Sequence, residues 1–531
     1  MANRSLFTSF LGKNVPKANT VNNVGGLAYA LSAEAALAQY AATGCMNGTY
    51  YASAENQLDD LLKLTARVND RFIARTAVYC REKGFMKDVP ALLCAVLANR
   101  DVELLAEIFP RVIDNGKMLR NFVQILRSGV TGRKSLGSAP KRLVRQWLDR
   151  ASDRQLVSAS VGQSPSLADV VKMVHPKPDN AKREAFYAWL IGKPYDLEKL
   201  PSPVREYEAW KLTKIGPVPE VPFQMLTALN LGQKEWTEIA RNAPWQMTRM
   251  NLNTFARHGV FKEKGLDEVI AKRLTDRAPI KRSRVFPYQL LAAYLNAGAD
   301  VPKRVTNALQ TALEIATENI PKVPGHVVIC PDVSGSMHQA VTGNRKGSTS
   351  KVRCLDVAAL IAAAILRKNP ETLVLPFMND VVKVNLNPHD SIMTNAQKLA
   401  SLPAGGTNCS APLTWLNKHR RKADFVFFVS DNESWIDSAN YGWCGGGKTQ
   451  TMKEWQQIKQ RFPKAKMACL DIQPNASSQA IEREDIMNIG GFSDQVFEIV
   501  SRFTKGELDD DHLVGEIKKI ELRTPSKSLT A

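Results

Sequence analysis

Asp332, Ser334 and Ser336 stand at alternate positions in VVICPDVSGSMHQ (327–339), directly after a run of β-branched residues. An extended segment therefore ends in one carboxylate and two hydroxyls around Gly335. Thr407 in PAGGTNCSAP and Asp431 in FFVSDNES add a third hydroxyl and a second carboxylate. All five groups offer oxygen, and hard oxygen donors suit Mg²⁺ or Mn²⁺ in an octahedral shell completed by water. With only two carboxylates, the cation stays electrophilic and able to take an acidic ligand from outside. Catalysis is not indicated: no His or Glu is placed as an obvious general base. The acyl-phosphate chemistry of D-x-D-x-T phosphatases would need a second aspartate where Ser334 stands. The motif reads as a binding device in a protein that is not an enzyme.

The elements that must carry these residues alternate. Strands are predicted at HVVIC (326–330), TLVLPFM (372–378), ADFVFFVS (423–430), KMACLDI (466–472) and QVFEIV (495–500). Helices are predicted between them at 354–368, 394–402, 412–420 and 451–462. Such alternation predicts a doubly wound, mostly parallel α/β sheet, which binds ligands at the carboxyl ends of its strands. A second motif, GWCGGGKT (442–449), matches G-x-x-x-x-G-K-[ST]. A phosphate loop should leave a buried strand directly, whereas the polar connector WIDSANY precedes this one, so a Gly-rich loop near the metal face is the better reading. Nucleotide turnover dependent on Lys448 would be the enzyme alternative.

Residues 20–320 follow a different grammar. In LAYALSAEAALAQYAA (27–42), NDRFIARTAVYCREKG (69–84), PALLCAVLANRDVELLAEIFPRV (90–112) and MLRNFVQILRSGV (118–130), apolar residues recur at helical spacing. No fixed period survives, so irregular helix pairs stacked as a solenoid are expected. The fold class is thus multidomain: an all-α helical-repeat domain over 20–323, a doubly wound α/β domain over 324–505, and a C-terminal tail over 506–531.

The charge is uneven. Residues 1–320 hold 45 Lys+Arg against 30 Asp+Glu, and residues 321–531 hold 26 against 22. Within 111–150 there are ten basic residues against two acidic ones, among them Arg120, Arg127, Arg133, Lys134, Lys141, Arg142 and Arg145. A second cluster, KRLTDRAPIKRSR (272–284), includes Lys281, Arg282 and Arg284. Such surfaces neutralise phosphates, although a solvated helix face has the same composition. Trp147 alone offers base stacking in the first cluster, so backbone contact should dominate. Eight scattered cysteines with no C-x-x-C pair read as reduced, buried thiols. The longest apolar run, VAALIAAAIL (357–366), is too short to span a bilayer, and the N-terminus lacks the apolar core of a secretory signal. The expectation is a cytoplasmic protein without membrane contact.

D-x-S-x-S followed by a Gly-Gly-Thr loop and a strand-end Asp resembles the metal-ion-dependent adhesion site of von Willebrand factor A domains. With NNVGGLAY, KMVHPKPD (172–179) and PFQMLTALNL (222–231) added, the chain is similar over nearly all of 20–500 to the Ro/SS-A autoantigen family, whose N-terminal module is called TROVE, and most of all to its bacterial members. The resemblance implies a closed ring of HEAT-like helical repeats. The outer face of that ring binds small noncoding Y RNA, and its hole takes single-stranded ends of misfolded or decaying RNA. It further implies service in RNA quality control with a 3′→5′ exoribonuclease tethered through Y RNA. His175 matches a histidine that family members use against Y RNA, with Lys172 and Lys177 flanking it. Basic residues that animal relatives carry shortly before that histidine are replaced here by SASVG (158–162), and Asn408 stands where relatives have Asp. The remaining alternative is a metal-dependent scaffold docking an acidic residue of a partner ATPase, with RNA irrelevant.

Overall fold

The computed structural model describes residues 16–522 apart from 44–50, 284, 286, 319, 321, 342–351, 437–446, 474, 492–493 and 510. Its described residues group into two units: one drawn from 1–68, 280–296 and 309–519, the other from 69–279, 297–308 and 520–531.

The second unit is helical. Its first helices are Asp70–Glu82, Asp88–Arg100, Val102–Val112 and Gly116–Ser128. Asp88–Arg100 is buried from Val89 to Ala98 and packs against the other three, so it forms the centre of the stack. The apolar run 90–112 makes two helices because Asp101 adopts extended backbone and its carboxylate accepts the Leu104 N–H at 2.9 Å. That is an N-cap, which ends one helix and starts the next. Phe109 and Phe122 lock two of the helices edge to face at 5.2 Å. Gly129, at φ 88°, stops Gly116–Ser128 in the left-handed conformation that a Cβ would disfavour.

The first unit contains two sheets. Strands β1 (Thr20–Val21) and β2 (Leu27–Ala30) form an antiparallel hairpin. Strands β3 (Val327–Pro331), β4 (Leu373–Val374), β5 (Phe425–Ser430), β6 (Lys466–Asp471) and β8 (Ile486–Gly490) form a five-stranded sheet in the order β4-β3-β5-β6-β8, every pair parallel. The short β7 (Ser477–Ser478) pairs antiparallel with β2. Central strands β3 and β5 are buried at every residue, as a sheet covered on both faces requires. Helix Cys354–Lys368 lies against β3, its residues 354–366 all buried.

Several elements differ from the sequence expectation. QVFEIV lies within a helix, Asp494–Lys505, whose buried Val496, Phe497, Val500 and Phe503 follow the 3.6-residue period that a six-residue window cannot display. The fifth strand is instead IMNIG, hidden in the sequence by its central Asn488. LAYA is a strand and not the start of a helix, since β2 buries Leu27, Ala28 and Tyr29 while pairing with β7. The domain boundary drawn at 20–323 differs too, because the described residues of 16–68 pack with the sheet; helix Ala33–Thr43 lies on β8. Residues 506–531, read as a tail, contain helix His512–Lys518, anchored by the buried His512 ring at the carbonyls of Arg483 (2.8 Å) and Ile486 (3.2 Å). Cys80, Cys94, Cys330, Cys354, Cys409 and Cys469 are buried free thiols; Cys45 and Cys444 lie outside the described residues. No helix among the described residues is long and apolar enough to cross a membrane.

Asn488 is buried because its polar atoms are satisfied. Its amide accepts from the Ser478 hydroxyl (2.6 Å) and donates to the Ala480 carbonyl (3.0 Å) and the Glu482 carboxylate (2.9 Å). Asn488→Leu, which would give the strand an unbroken apolar pattern, should destabilise the protein by roughly 2–4 kcal/mol because it strands those buried partners. A urea-unfolding midpoint that stays in place or rises would contradict this account.

Candidate functional site

Strand order dictates where a site can form. From β3 the chain passes to β4 on one side and then to β5 on the other, so the crevice between the carboxyl ends of β3 and β5 is the sheet's topological switch point. Asp332 and Asp431 are the first residues beyond those two strands. The Asp332 N–H extends the ladder to the Val429 carbonyl at 3.0 Å, fixing one carboxylate beside the other. The Thr407 loop is drawn in by the Gly335 N–H, which donates to the Gly405 carbonyl at 2.8 Å. Gly406 lets the loop lie against Asn379 and Trp435: a Cβ there would stand 2.6 Å from Asn379 Oδ1 and from Trp435 Nε1.

The five predicted oxygen donors are all buried, none more than 6 % exposed. Asp332 Oδ1 accepts the Ser334 N–H at 2.8 Å and Oδ2 accepts the Ser430 hydroxyl at 2.5 Å. The Ser334 and Ser336 hydroxyls are 3.3 Å apart, and Asp431 Oδ1 accepts the Glu433 N–H at 3.3 Å. Asp431 Oδ2 has no hydrogen-bond partner although it is fully buried. Burial, and then the charge of Asp431, push the Asp332 carboxyl up to about 7; burial also raises Asp431. Two buried aspartates at the ends of adjacent strands, one with an orphaned oxygen, beside the Ser334, Ser336 and Ser430 hydroxyls fit a hard divalent cation. Among the described residues no group of three or more His, Cys, Asp or Glu offers a metal site, so hydroxyls must complete any such shell.

Some residues around this site escaped the sequence reading. Ser430 was legible in SDNES beside Asp431, but its bond to Asp332 was not. Asn475 donates to the Asp431 carbonyl at 2.6 Å, and Gln479 to the Asn432 carbonyl at 2.7 Å. Glu433 accepts from the Asn23 N–H and side-chain amide, both at 2.8 Å; burial, followed by Asp431, pushes its carboxyl up to about 7. Asn22 donates to the Ser434 carbonyl at 2.7 Å, and a Cβ at Gly26 would lie 2.5 Å from that same carbonyl. Burial raises the Tyr51 phenol, as do the carboxylates Asp431, Glu433 and Asp332. Asn408 is held within its loop, accepting from Ser410 and donating to the Asn379 carbonyl.

The basic residues separate into two kinds. Arg120 donates to the Ala159 carbonyl at 2.6 Å and to the Val161 carbonyl, holding the SASVG segment, and burial lowers its pKa. Arg133 donates to the Ala98 carbonyl at 3.2 Å. These guanidiniums stabilise loops, a use that charge counting cannot distinguish from phosphate contact. Arg127 and Lys172 line an open cleft of about 640 Å³ with Gln124, Ser128, Ser164, Pro165, Asp169 and Met173. His175 is exposed at the left-handed C-cap of helix Leu167–Val174, and Arg145 donates to the neighbouring Val174 carbonyl. Lys134, Arg142 and Lys177 are exposed and Lys141 is half-buried. Lys281 and Arg282 are exposed but belong to the other unit; Arg284 lies outside the described residues.

Most of GWCGGGKT also lies outside them, but Thr449 is fully buried as the N-cap of helix Gln450–Arg461. Its hydroxyl accepts the Met452 N–H and donates to the Gln479 carbonyl at 2.8 Å, an arrangement that serves the helix and offers nothing to a nucleotide.

Comparison with known proteins finds two family models along the chain. A family model described as the TROVE domain matches residues 110–323, and one described as the Ro60 vWA domain matches 326–504. RNA-binding protein RO60 of Deinococcus radiodurans is 25% identical over 525 residues, covering 92% of this chain and 95% of that protein. RNA-binding protein RO60 of Caenorhabditis elegans is 25% identical over 296 residues, covering 53% of this chain and 44% of its own length. The crystal structure of the Deinococcus radiodurans RO (RSR) protein shares the fold, with a TM-score of 0.62 and 23% identity over 90% of this chain and 100% of that one.

The paired carboxylates make the cation-free protein sensitive to pH. With its folded pKa raised to about 7 and an unfolded value near 3.9, Asp332 keeps in the folded state a proton that the unfolded chain releases. Its contribution to stability is therefore complete below about pH 4 and is lost as pH rises through about 7. Asp431→Asn removes the charge contribution but not the burial. In chelator it should flatten that loss and raise stability at pH 8 by on the order of 1–3 kcal/mol. Thermal unfolding at pH 5 and pH 8 tests this, and an unchanged difference between the two would refute it.

Proposed function

The chain belongs to the Ro60 family, a TROVE domain followed by a Ro60-type von Willebrand factor A domain, and on that premise we propose that it is a non-catalytic RNA-binding protein. The observation that carries this reading is the open cleft where Arg127 and Lys172 converge, within the TROVE match and close in sequence to exposed His175. One carboxylate, Asp169, shares the cleft, and it is held by the Ser166 hydroxyl and N–H at 2.7 and 2.8 Å. Two cations on an open surface suit a phosphate backbone, which supplies most of the affinity in such complexes. In this reading the RNA partners are a small Y RNA and the single-stranded ends of misfolded or decaying RNA. The protein acts in RNA quality control beside a 3′→5′ exoribonuclease joined to it through the Y RNA.

The α/β unit supplies a second binding function. Asp332, Ser334, Ser336, Thr407 and Asp431 would hold Mg²⁺ or Mn²⁺, and the cation supplies a Lewis-acid position for a carboxylate of a protein partner. The protein's own contribution is to bury the two aspartates at fixed positions and to hold Asp332 by Ser430 and the Ser334 N–H.

Replacing Arg127 and Lys172 together by Ala should flatten the slope of log K against log salt by about 1.4–1.8 for a structured RNA with a single-stranded 3′ tail, at roughly 0.7–0.9 for each phosphate no longer neutralised. An unchanged slope would return the cleft to an ordinary solvated surface. Asp332→Ala should abolish Mn²⁺ binding in calorimetry while leaving RNA affinity intact; retained Mn²⁺ affinity would remove the metal reading.

A further inference from the structure

The positive charge of residues 321–531 is concentrated in one turn. That half of the chain holds 26 Lys+Arg against 22 Asp+Glu, and four of the 26 stand together in KHRRK (418–422), so outside this run the two signs balance at 22 each. All five residues of the run are exposed. They link helix Ala411–Lys418 to the amino end of β5. Asp431 follows the opposite end of that strand, six residues of extended chain or about 20 Å away. The run is therefore separate from the oxygen donors of the crevice.

Local structure does not call for arginines here. The helix is closed by the Arg420 N–H, which donates to the Asn417 carbonyl at 3.2 Å, and by the Arg421 N–H, which donates to the Leu416 carbonyl at 3.0 Å. Arg420 lies at φ 50°, the left-handed position that favours glycine because a Cβ is crowded there. Lys418, in the last turn, complements the helix dipole, but Arg420 and Arg421 lie beyond the cap. Lys422 reaches Asp424 at 3.7 Å, whereas the side chains of Lys418, Arg420 and Arg421 have no hydrogen-bond or ion-pair partner among the described residues. Exposed Lys464 adds a further cation at this edge, since it stands two residues before Lys466, the partner of Phe425 where β5 and β6 begin to pair. An aromatic surface adjoins the cations. Trp415 and exposed His419 stack at 4.1 Å with their rings 24° apart, and His419 Nδ1 donates to the Trp415 carbonyl at 2.8 Å, which fixes the imidazole.

We propose that the 418–422 turn is a second RNA contact, carried by the α/β unit: Arg420 and Arg421 neutralise two phosphates of a single strand, and the His419 ring, held by Trp415, stacks on a neighbouring base. This rests on the RNA reading above and adds a surface outside the TROVE match. Cations that follow a backbone beside a ring that takes a base are the combination by which single strands are bound without regard to sequence. An acidic protein surface would meet the cations but would make no use of the ring. The left-handed arginine has a purpose in this account, because glycine would close the helix equally well and contribute no charge.

The test uses the full-length protein with Arg127→Ala and Lys172→Ala, which weaken the cleft, and a single-stranded oligouridylate carrying one 4-thiouridine. Adding Arg420→Gly and Arg421→Gln should leave the thermal midpoint in place or raise it, since glycine suits the cap. The same pair should flatten the slope of log K against log salt by about 1.4, at about 0.7 for each phosphate of a single strand no longer neutralised. Ultraviolet crosslinks to the protein before that addition should map to residues 415–422. An unchanged slope with no crosslink in 415–422 overturns this surface, and it leaves the RNA reading standing if the cleft pair alone flattens the slope of the otherwise unaltered protein. A slope that neither pair changes overturns both.

Discussion

Two aspartates buried side by side at the end of a parallel sheet are the constraint around which the α/β unit is organised. A parallel sheet collects the carboxyl ends of its strands on one edge, and the reversal between β3 and its neighbours opens a crevice there. Placing Asp332 and Asp431 in that crevice takes both charges out of water, which is costly unless hydrogen bonds, protons or a cation compensate. The surrounding residues answer that cost locally. Ser430 and the Ser334 N–H hold Asp332, the Glu433 N–H bonds Asp431, and Asn475 ties down the Asp431 backbone. The oxygen of Asp431 left without a partner marks where compensation from the chain stops.

The same economy extends to the surrounding loops. Glu433, itself raised by burial and by Asp431, is held by the Asn23 N–H and amide, so the hairpin near the start of the chain helps to balance the charge of a loop near its end. Asn475 performs a similar service for Asp471, another buried carboxyl at the end of β6, donating to its Oδ1 at 3.4 Å. Stability and site chemistry are therefore coupled in this unit: loosening the N-terminal hairpin would disturb the electrostatics of the crevice.

How much of this was legible in sequence depended on the range of each interaction. The β-strands ending at Pro331 and Ser430 showed as short apolar runs followed by a break, and the oxygen-rich residues after them were visible because the motif is local. IMNIG was missed because Asn488 interrupts its apolar pattern, and what permits that residue is a set of partners at 478–482 placed by folding. QVFEIV satisfied both strand and helix periods over six residues; only Phe503, one turn beyond, resolves the ambiguity. Tyr51 carried no signal, since nothing in its neighbourhood resembles a metal-site residue and the carboxylates that raise its phenol lie far away in sequence. Among the arginines, composition gave the total charge but not which guanidiniums, such as those of Arg120 and Arg133, are committed to carbonyls.

The pairing of β2 with β7 and of Asn22 and Asn23 with Ser434 and Glu433 also sets an order of events during synthesis. Residues 16–68 leave the ribosome well before the strands and loops that receive them, at 433–434 and 477–490. The helical unit, drawn mainly from 69–279, is synthesised, apart from a few late residues, before the sheet. The β1–β2 hairpin must therefore wait with the β2 edge that receives β7 unpaired, a state prone to wrong pairing between chains. Closing so long a loop adds only modest entropy beyond a shorter one because the cost grows logarithmically with length. The hazard of this topology is kinetic: nascent chains, more than finished molecules, are where protection by other cellular factors would matter.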